Sequence, residues 1–137
     1  MMKHAPGMRQ YVECVVFIII REGHILVEHR RLSAKVAPGL TTLPGGHIQT
    51  GESQQAATMR ELREELAIVP ESVEYICSLI YRGEELQKLH FYWIPDWQGD
   101  MQCHEAESIE WLPLERLDRI DVEVDRVALS EWKRLYG

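Results

Sequence analysis

Two apolar runs open the chain. Tyr11 to Ile20 contains an unbroken apolar stretch from Val15 to Ile20, and His24 to His29 follows after the polar, glycine-containing Arg21-Glu22-Gly23. β-Branched residues dominate the first run and recur as Ile25 and Val27 in the second, which predicts two strands joined as a β-hairpin. Leu32 to Pro38 predicts a loop, and Leu40 to Leu43 a short strand that stops at Pro44-Gly45-Gly46. Val73 to Tyr81 and Leu86 to Ile94 predict a second hairpin around Arg82-Gly83-Glu84-Glu85, and the mixed polar stretch Pro95 to Cys103 a surface loop. Ser108 to Leu112 reads as one more strand. A helical turn from Pro113 to Leu117 follows, since proline is tolerated at a helix start.

Elsewhere the apolar period is helical. Ser53 is placed to cap Gln54 to Ala67, a stretch without Gly or Pro that Pro70 closes. Within it Met59, Leu62 and Leu66 fall on one side, predicted to pack on a sheet, and Glu61, Glu64 and Glu65 on the other. From about Val124 to Tyr136, the residues Val124, Val127, Ala128, Trp132 and Leu135 recur at helical spacing, so this helix is expected to lay one face on the core.

No repeat, low-complexity tract or linker divides the 137 residues, and 45% of them are hydrophobic. That suits one domain over residues 1–137, with residues 1–10 expected to be mobile. Lys and Arg number 15 against 22 Asp and Glu, a formal charge of -7. Such a molecule repels polyanions, which argues against duplex nucleic acid as a partner. A small phosphorylated substrate stays admissible, because a bound metal ion can dominate the local potential. Met1 to Gln10 has no apolar signal core, and Val15 to Ile20 is too short to span a bilayer, so no membrane partner is expected. Cys14, Cys77 and Cys103 are odd in number and widely spaced, which favours reduced thiols and a cytoplasmic protein.

Three carboxylates at i, i+3 and i+4 repel one another, by a few tenths of a kcal/mol per pair in an isolated helix. For an isolated Glu-rich helix the default reading is a solvated face, with Arg60 and Arg63 compensating. The competing reading is a hard-cation site, since Mg2+ or Mn2+ takes oxygen ligands and lets substrate phosphates complete its shell.

Context decides between them. From Gly46 the chain runs through five residues to Glu52, seven to Arg60-Glu61-Leu62, one to Glu64-Glu65, and one to Ala67-Ile68. This closely resembles the Nudix hydrolase signature, with Ala67 where the family has Gly. Upstream, Gly39 to Gly46 is similar to the family's approach to its signature, with Thr41 where many members have Trp. The resemblance implies an α/β fold: an α/β/α sandwich around a central mixed β-sheet. It implies a Mg2+-dependent (or Mn2+-dependent) hydrolase of phosphoanhydrides in which Glu61, Glu64, Glu65 and the Gly45 carbonyl bind metal. Arg60 would orient the acidic cluster, with Gly46 and Glu52 in support. Glu52 is equally suited to favour the helix N-terminus electrostatically. The general base is left among Glu61, Glu64 and Glu105. A homodimer is plausible by resemblance alone.

Substrate contacts carry weaker signals. Arg30 at the end of the second strand, Arg82 between the later strands and Trp97 in a polar loop are candidates; a charged strand end or a core aromatic is the commoner role for such residues. His47 is placed to line the site. The compact length, and the absence of landmarks resembling the ADP-ribose and dinucleoside-polyphosphate groups, point to a MutT-like hydrolase turning an NTP into an NMP and pyrophosphate. A nucleotide-sugar or dinucleotide hydrolase, and a non-catalytic nucleotide-binding regulator, are the alternatives.

Overall fold

A computed structural model describes residues 10–137; most of the start expected to be mobile lies outside the described residues. In order, the elements are β1 (Val12–Ile18), β2 (Ile20–Arg21), β3 (His24–His29), β4 (Thr41–Thr42), β5 (Gly45–His47), α1 (Gln54–Leu66), β6 (Val69–Pro70), β7 (Glu74–Arg82), β8 (Leu86–Trp93), β9 (Trp97–Gln98), β10 (Ser108–Pro113), a 3₁₀ segment (Leu114–Arg119) and α2 (Glu123–Tyr136). One sheet runs β5-β1-β8-β7, parallel between β1 and β8 and antiparallel elsewhere. A second runs β10-β3-β2, with β4 on β3.

The apolar run of β1 is unbroken because both of its faces are covered. Val15 and Phe17, with Ile19 just beyond the strand, point to one side and meet Leu62 and Leu66 of α1. Cys14, Val16 and Ile18 point to the other and share a core with Ala128 and Leu129 of α2. Alternation at period two thus splits one strand between two cores, and the α/β/α sandwich follows.

The expected first hairpin is corrected. β1 does not pair with β3; the chain breaks at Ile19, and only Ile20 and Arg21 pair back onto β3. Glu22 and Gly23 turn the chain at φ 51 and 74, the two positive values of a type I′ connection. The expected strand at Leu40 to Leu43 shrinks to Thr41–Thr42, and a strand forms instead at Gly45–His47, antiparallel to β1. A side chain on Gly45 would come within 2.3 Å of the Val15 carbonyl oxygen, so the glycine permits a pairing that its low β propensity hides. The loop after β8 contains β9, which pairs with β6 and makes Pro70 a strand residue.

Helix α1 starts as predicted, with Ser53 Oγ accepting from the Ala56 N–H at 3.0 Å. It stops at Ala67, which adopts φ 59, while the Ile68 N–H reaches back to the Leu62 carbonyl at 3.4 Å. This Schellman-type turn favours glycine, because a left-handed conformation costs an L-residue about 1–2 kcal/mol. Ala67→Gly gives back roughly 0.5–1 kcal/mol of that in chain entropy. The variant is therefore expected to be more stable by up to about 1 kcal/mol, read as a higher urea midpoint at unchanged slope.

Two helix faces are corrected. Met59 is 38% exposed, whereas Glu61 and Glu65 are buried beside Leu62 and Leu66. The covered arc of α1 therefore takes in the acidic edge, because glycine at position 46 leaves room for a carboxylate under the helix. On α2, Val127 and Leu135 are exposed and Asp125 is buried. An Asp125 oxygen accepts from the Leu43 N–H at 3.0 Å, and this bond fixes the rotation of the helix.

Candidate active site

Arg60 is the hub. Its Nε and Nη2 donate to the two oxygens of Glu52 at 2.7 and 2.8 Å, its Nη1 to Glu61 at 2.6 Å and to Glu64 at 3.1 Å, and its Nη2 also to the His47 carbonyl at 2.9 Å. The guanidinium fork matches a carboxylate in two-pronged geometry, so Glu52 locks Arg60 across the start of α1. In return Arg60 holds Glu52 down to about 2. The bracing is rigid because Glu52 also accepts from the Gln49 N–H at 3.0 Å. Gly46 lies directly under Glu61: a Cβ there would sit 2.2 Å from the carboxyl carbon.

Glu61, Glu65 and Glu105 each bring one carboxylate oxygen to within 4.8 Å of the others. Glu105 arrives on a loop stitched to the C-terminal carbonyls of α1. The Gln102 N–H donates to Leu66 O at 2.9 Å and the His104 N–H to Glu65 O at 3.0 Å. His104 Nδ1 bonds Glu64 O at 3.1 Å, and Arg31 Nε donates to the Glu105 carbonyl at 2.9 Å. The three bonds to the carbonyls of Glu64, Glu65 and Leu66 satisfy helix-end acceptors that would otherwise face water, and they deliver Glu105 as a by-product.

The cluster is electrostatically unbalanced. Burial pushes Glu65 well above the carboxylate range, and Glu28, Glu61 and Glu105 push it further; its Oε2 is buried with no hydrogen-bond partner. Burial raises Glu61 too, with Arg60 opposing. Glu28 of β3, also buried, is pushed up to about 7 by burial against the pull of Arg30. A buried orphan oxygen amid like charges is expensive unless a cation joins it. The donors are all oxygens, as a hard divalent ion requires, so the residues fit Mg2+ or Mn2+.

A cavity of about 370 Å³, the size of a small-ligand site, opens beside the cluster. Glu61, Glu65 and Glu105 line one part, Arg30, Gly45 and His47 also border it, and Asp125 lines it from α2. Burial raises Asp125 to about 7, against the Leu43 N–H bond. Cys14 also borders the cavity, but burial pushes its thiol up to about 12, which disqualifies it as a nucleophile.

The predicted site residues divide clearly. Arg60, Glu61, Glu65, Glu105, Gly45 and Gly46 come together, with Glu52 behind Arg60. Glu64 stands at the exposed edge, tied to Arg60. Arg82 ends β7 and Trp97 lies in β9, and neither borders the cavity. The Trp97 ring instead carries the Arg21 guanidinium 4.0 Å from its centroid and stacks with Trp111. Glu28 and Asp125 escaped the sequence reading. A charged residue inside a strand and another in a helix's first turn normally signal solvent, and only a strand-interior charge such as Glu28 hints at a partner.

Against known proteins, the NUDIX domain family profile matches residues 10–132. The chain is 38% identical over 103 residues to the CTP pyrophosphohydrolase of Escherichia coli (strain K12), covering 73% of this chain and 74% of that protein. It is 29% identical over 127 residues to the 8-oxo-dGTP diphosphatase of the same strain, covering 90% and 98%. Among solved structures, the MutT NUDIX hydrolase from Burkholderia pseudomallei matches with a TM-score of 0.80 at 26% identity, over 90% of this chain and 98% of that one. With signature residues braced around one carboxylate cluster and the profile spanning nearly the whole chain, the protein belongs to the Nudix family and is a Nudix-type pyrophosphohydrolase.

Proposed function

We propose that the enzyme hydrolyses a nucleoside triphosphate to the monophosphate and pyrophosphate with Mg2+, or Mn2+, and that its preferred base carries an exocyclic amino group. The observation that carries this reading is a single cavity bordered by both the carboxylate cluster and Asp125. One Asp125 oxygen takes the Leu43 N–H. The other has no hydrogen-bond partner among the described residues, which suits an amino donor of cytosine, adenine or guanine. Both bacterial relatives named above are nucleotide hydrolases by name, which supports a nucleotide here.

Glu61, Glu65, Glu64 and the Gly45 carbonyl are the residues to hold the cation, which when bound neutralises phosphate oxygens and acidifies a coordinated water. Arg60, locked by Glu52, keeps Glu61 and Glu64 in place through the reaction. Glu105, exposed at the rim of the cluster, accepts the proton of the attacking water as its oxygen bonds to phosphorus and the bridging P–O bond breaks. Arg30, just past the end of β3, reaches the phosphates. The three cysteines form no disulfide, which supports a reducing compartment such as the cytoplasm.

Incubation with Mg2+ or Mn2+ and a panel of canonical and oxidised NTPs, nucleotide sugars, ADP-ribose and dinucleoside polyphosphates tests the reading. The expected products are NMP and pyrophosphate, with amino-bearing bases favoured over UTP by at least about tenfold in kcat/KM, since an unpaired buried acceptor penalises the wrong base. Turnover confined to sugar or dinucleotide substrates would overturn the substrate assignment. Tight nucleotide binding without metal or turnover would instead favour a regulator.

A further inference from the structure

Glu28 is a buried carboxylate for which the reaction as described has no use. Its only hydrogen-bond partner among the described residues is Arg30, whose Nη1 donates at 2.9 Å while Nε donates to the Val36 carbonyl at 2.8 Å. Glu28 and Arg30 share a side cavity of about 170 Å³ with Glu65 and Glu105. Arg30 therefore faces two rival sets of carboxylates across one small space. Glu28 holds it now, and Glu65, with its buried and unpartnered Oε2, is the competitor.

A guanidinium free to cross this space would find charge-assisted bonds at Glu65 and Glu105. It would then sit on the oxygens that a divalent cation needs, as an internal competitor that no buffer could remove. We propose that Glu28 is a positioning residue that ties Arg30 back, keeping Glu61 and Glu65 open to a divalent cation. The tether also leaves Arg30 bordering the main cavity, where phosphates would lie. This assignment rests on the metal-dependent reading above but concerns a strand residue outside the signature.

Titration calorimetry with Mn2+ alone, in the absence of nucleotide, tests it. Glu28→Ala is expected to weaken Mn2+ binding on the order of 10- to 100-fold, the scale seen when a partner of metal ligands is removed. Adding Arg30→Ala to that variant is expected to restore affinity to within about threefold of the unaltered protein, because the competitor is gone. Arg30→Ala alone should bind Mn2+ at least as tightly as the unaltered protein. If Glu28→Ala does not fold, as circular dichroism would reveal, Glu28→Gln takes its place. That variant keeps the shape and an acceptor oxygen but loses the charge, and it should show a smaller loss with the same rescue. Unchanged Mn2+ affinity in the Glu28 variants overturns the assignment, and so does a loss that Arg30→Ala fails to relieve, since Glu28 would then act on the ion directly. Absence of saturable Mn2+ binding by the unaltered protein would sink the metal reading itself and this assignment with it.

Discussion

Glu65→Gln is expected to cut nucleotide turnover by about a thousandfold while making the metal-free protein more stable, an opposition that marks a carboxylate kept for chemistry. The loss is on the scale of removing one preorganised electrostatic group. The gain follows because ionised Glu65 is buried, has an orphan oxygen, and faces Glu28, Glu61 and Glu105. A neutral amide of the same shape removes that repulsion. A rise in thermal midpoint of about 3 °C or more, measured in chelator, would correspond to roughly 1 kcal/mol. Glu64→Gln supplies the contrast: it is exposed, and its bond to Arg60 is of the surface kind worth about 0–1 kcal/mol. Its turnover should fall as well, with little change in stability. If both variants turn over like the parent, the assignment of the carboxylates to catalysis is wrong.

Without divalent metal, stability is expected to decline as pH rises from about 4.5 to about 7, and millimolar Mg2+ or Mn2+ should flatten that decline. Glu28 is raised from 4.5 to about 7 and Asp125 from 3.8 to about 7, and Glu61 and Glu65 are raised as well. A carboxylate whose folded pKa exceeds its unfolded one binds more protons in the native state. Its contribution is therefore fully present below the unfolded value and is lost as pH rises through the folded value. Glu52 has the opposite shift, but its window lies below 4.5, so it does not mask the trend. A cation that binds only the native site adds stability by mass action, and adds most where the carboxylates are ionised. Thermal melts at several pH values, with chelator and with metal, read both effects. A midpoint that rises with pH in chelator through this range would contradict the buried repulsion.

Much of the site is local in the chain and was readable for that reason. Arg60, Glu61, Glu64 and Glu65 are joined by helical spacing, Ser53 caps the helix through its own side chain, and Glu52 stands just before that cap, so their order along the sequence already states much of their geometry. The apolar periods likewise gave the positions of β1, β3, β7, β8 and both helices. What the helix buries could not be read that way: helical periodicity puts acids outside, and Glu61 lies inside because Gly46 on a neighbouring strand has no side chain to exclude it. Gly45 and Gly46 read as the stop of a strand because pairing with β1, more than their own propensity, makes them strand residues. Packing likewise hid Glu28 and Asp125, which reach the cavity from β3 and α2. It also removed Trp97, whose pairing with β6 turns it away from the cavity. Sequence alone therefore determined the family signature, its helix and the order of its carboxylates along the chain. Tertiary structure decided which of those carboxylates are buried, and which distant groups join them, because burial and long-range charge are properties of packing that no local pattern encodes.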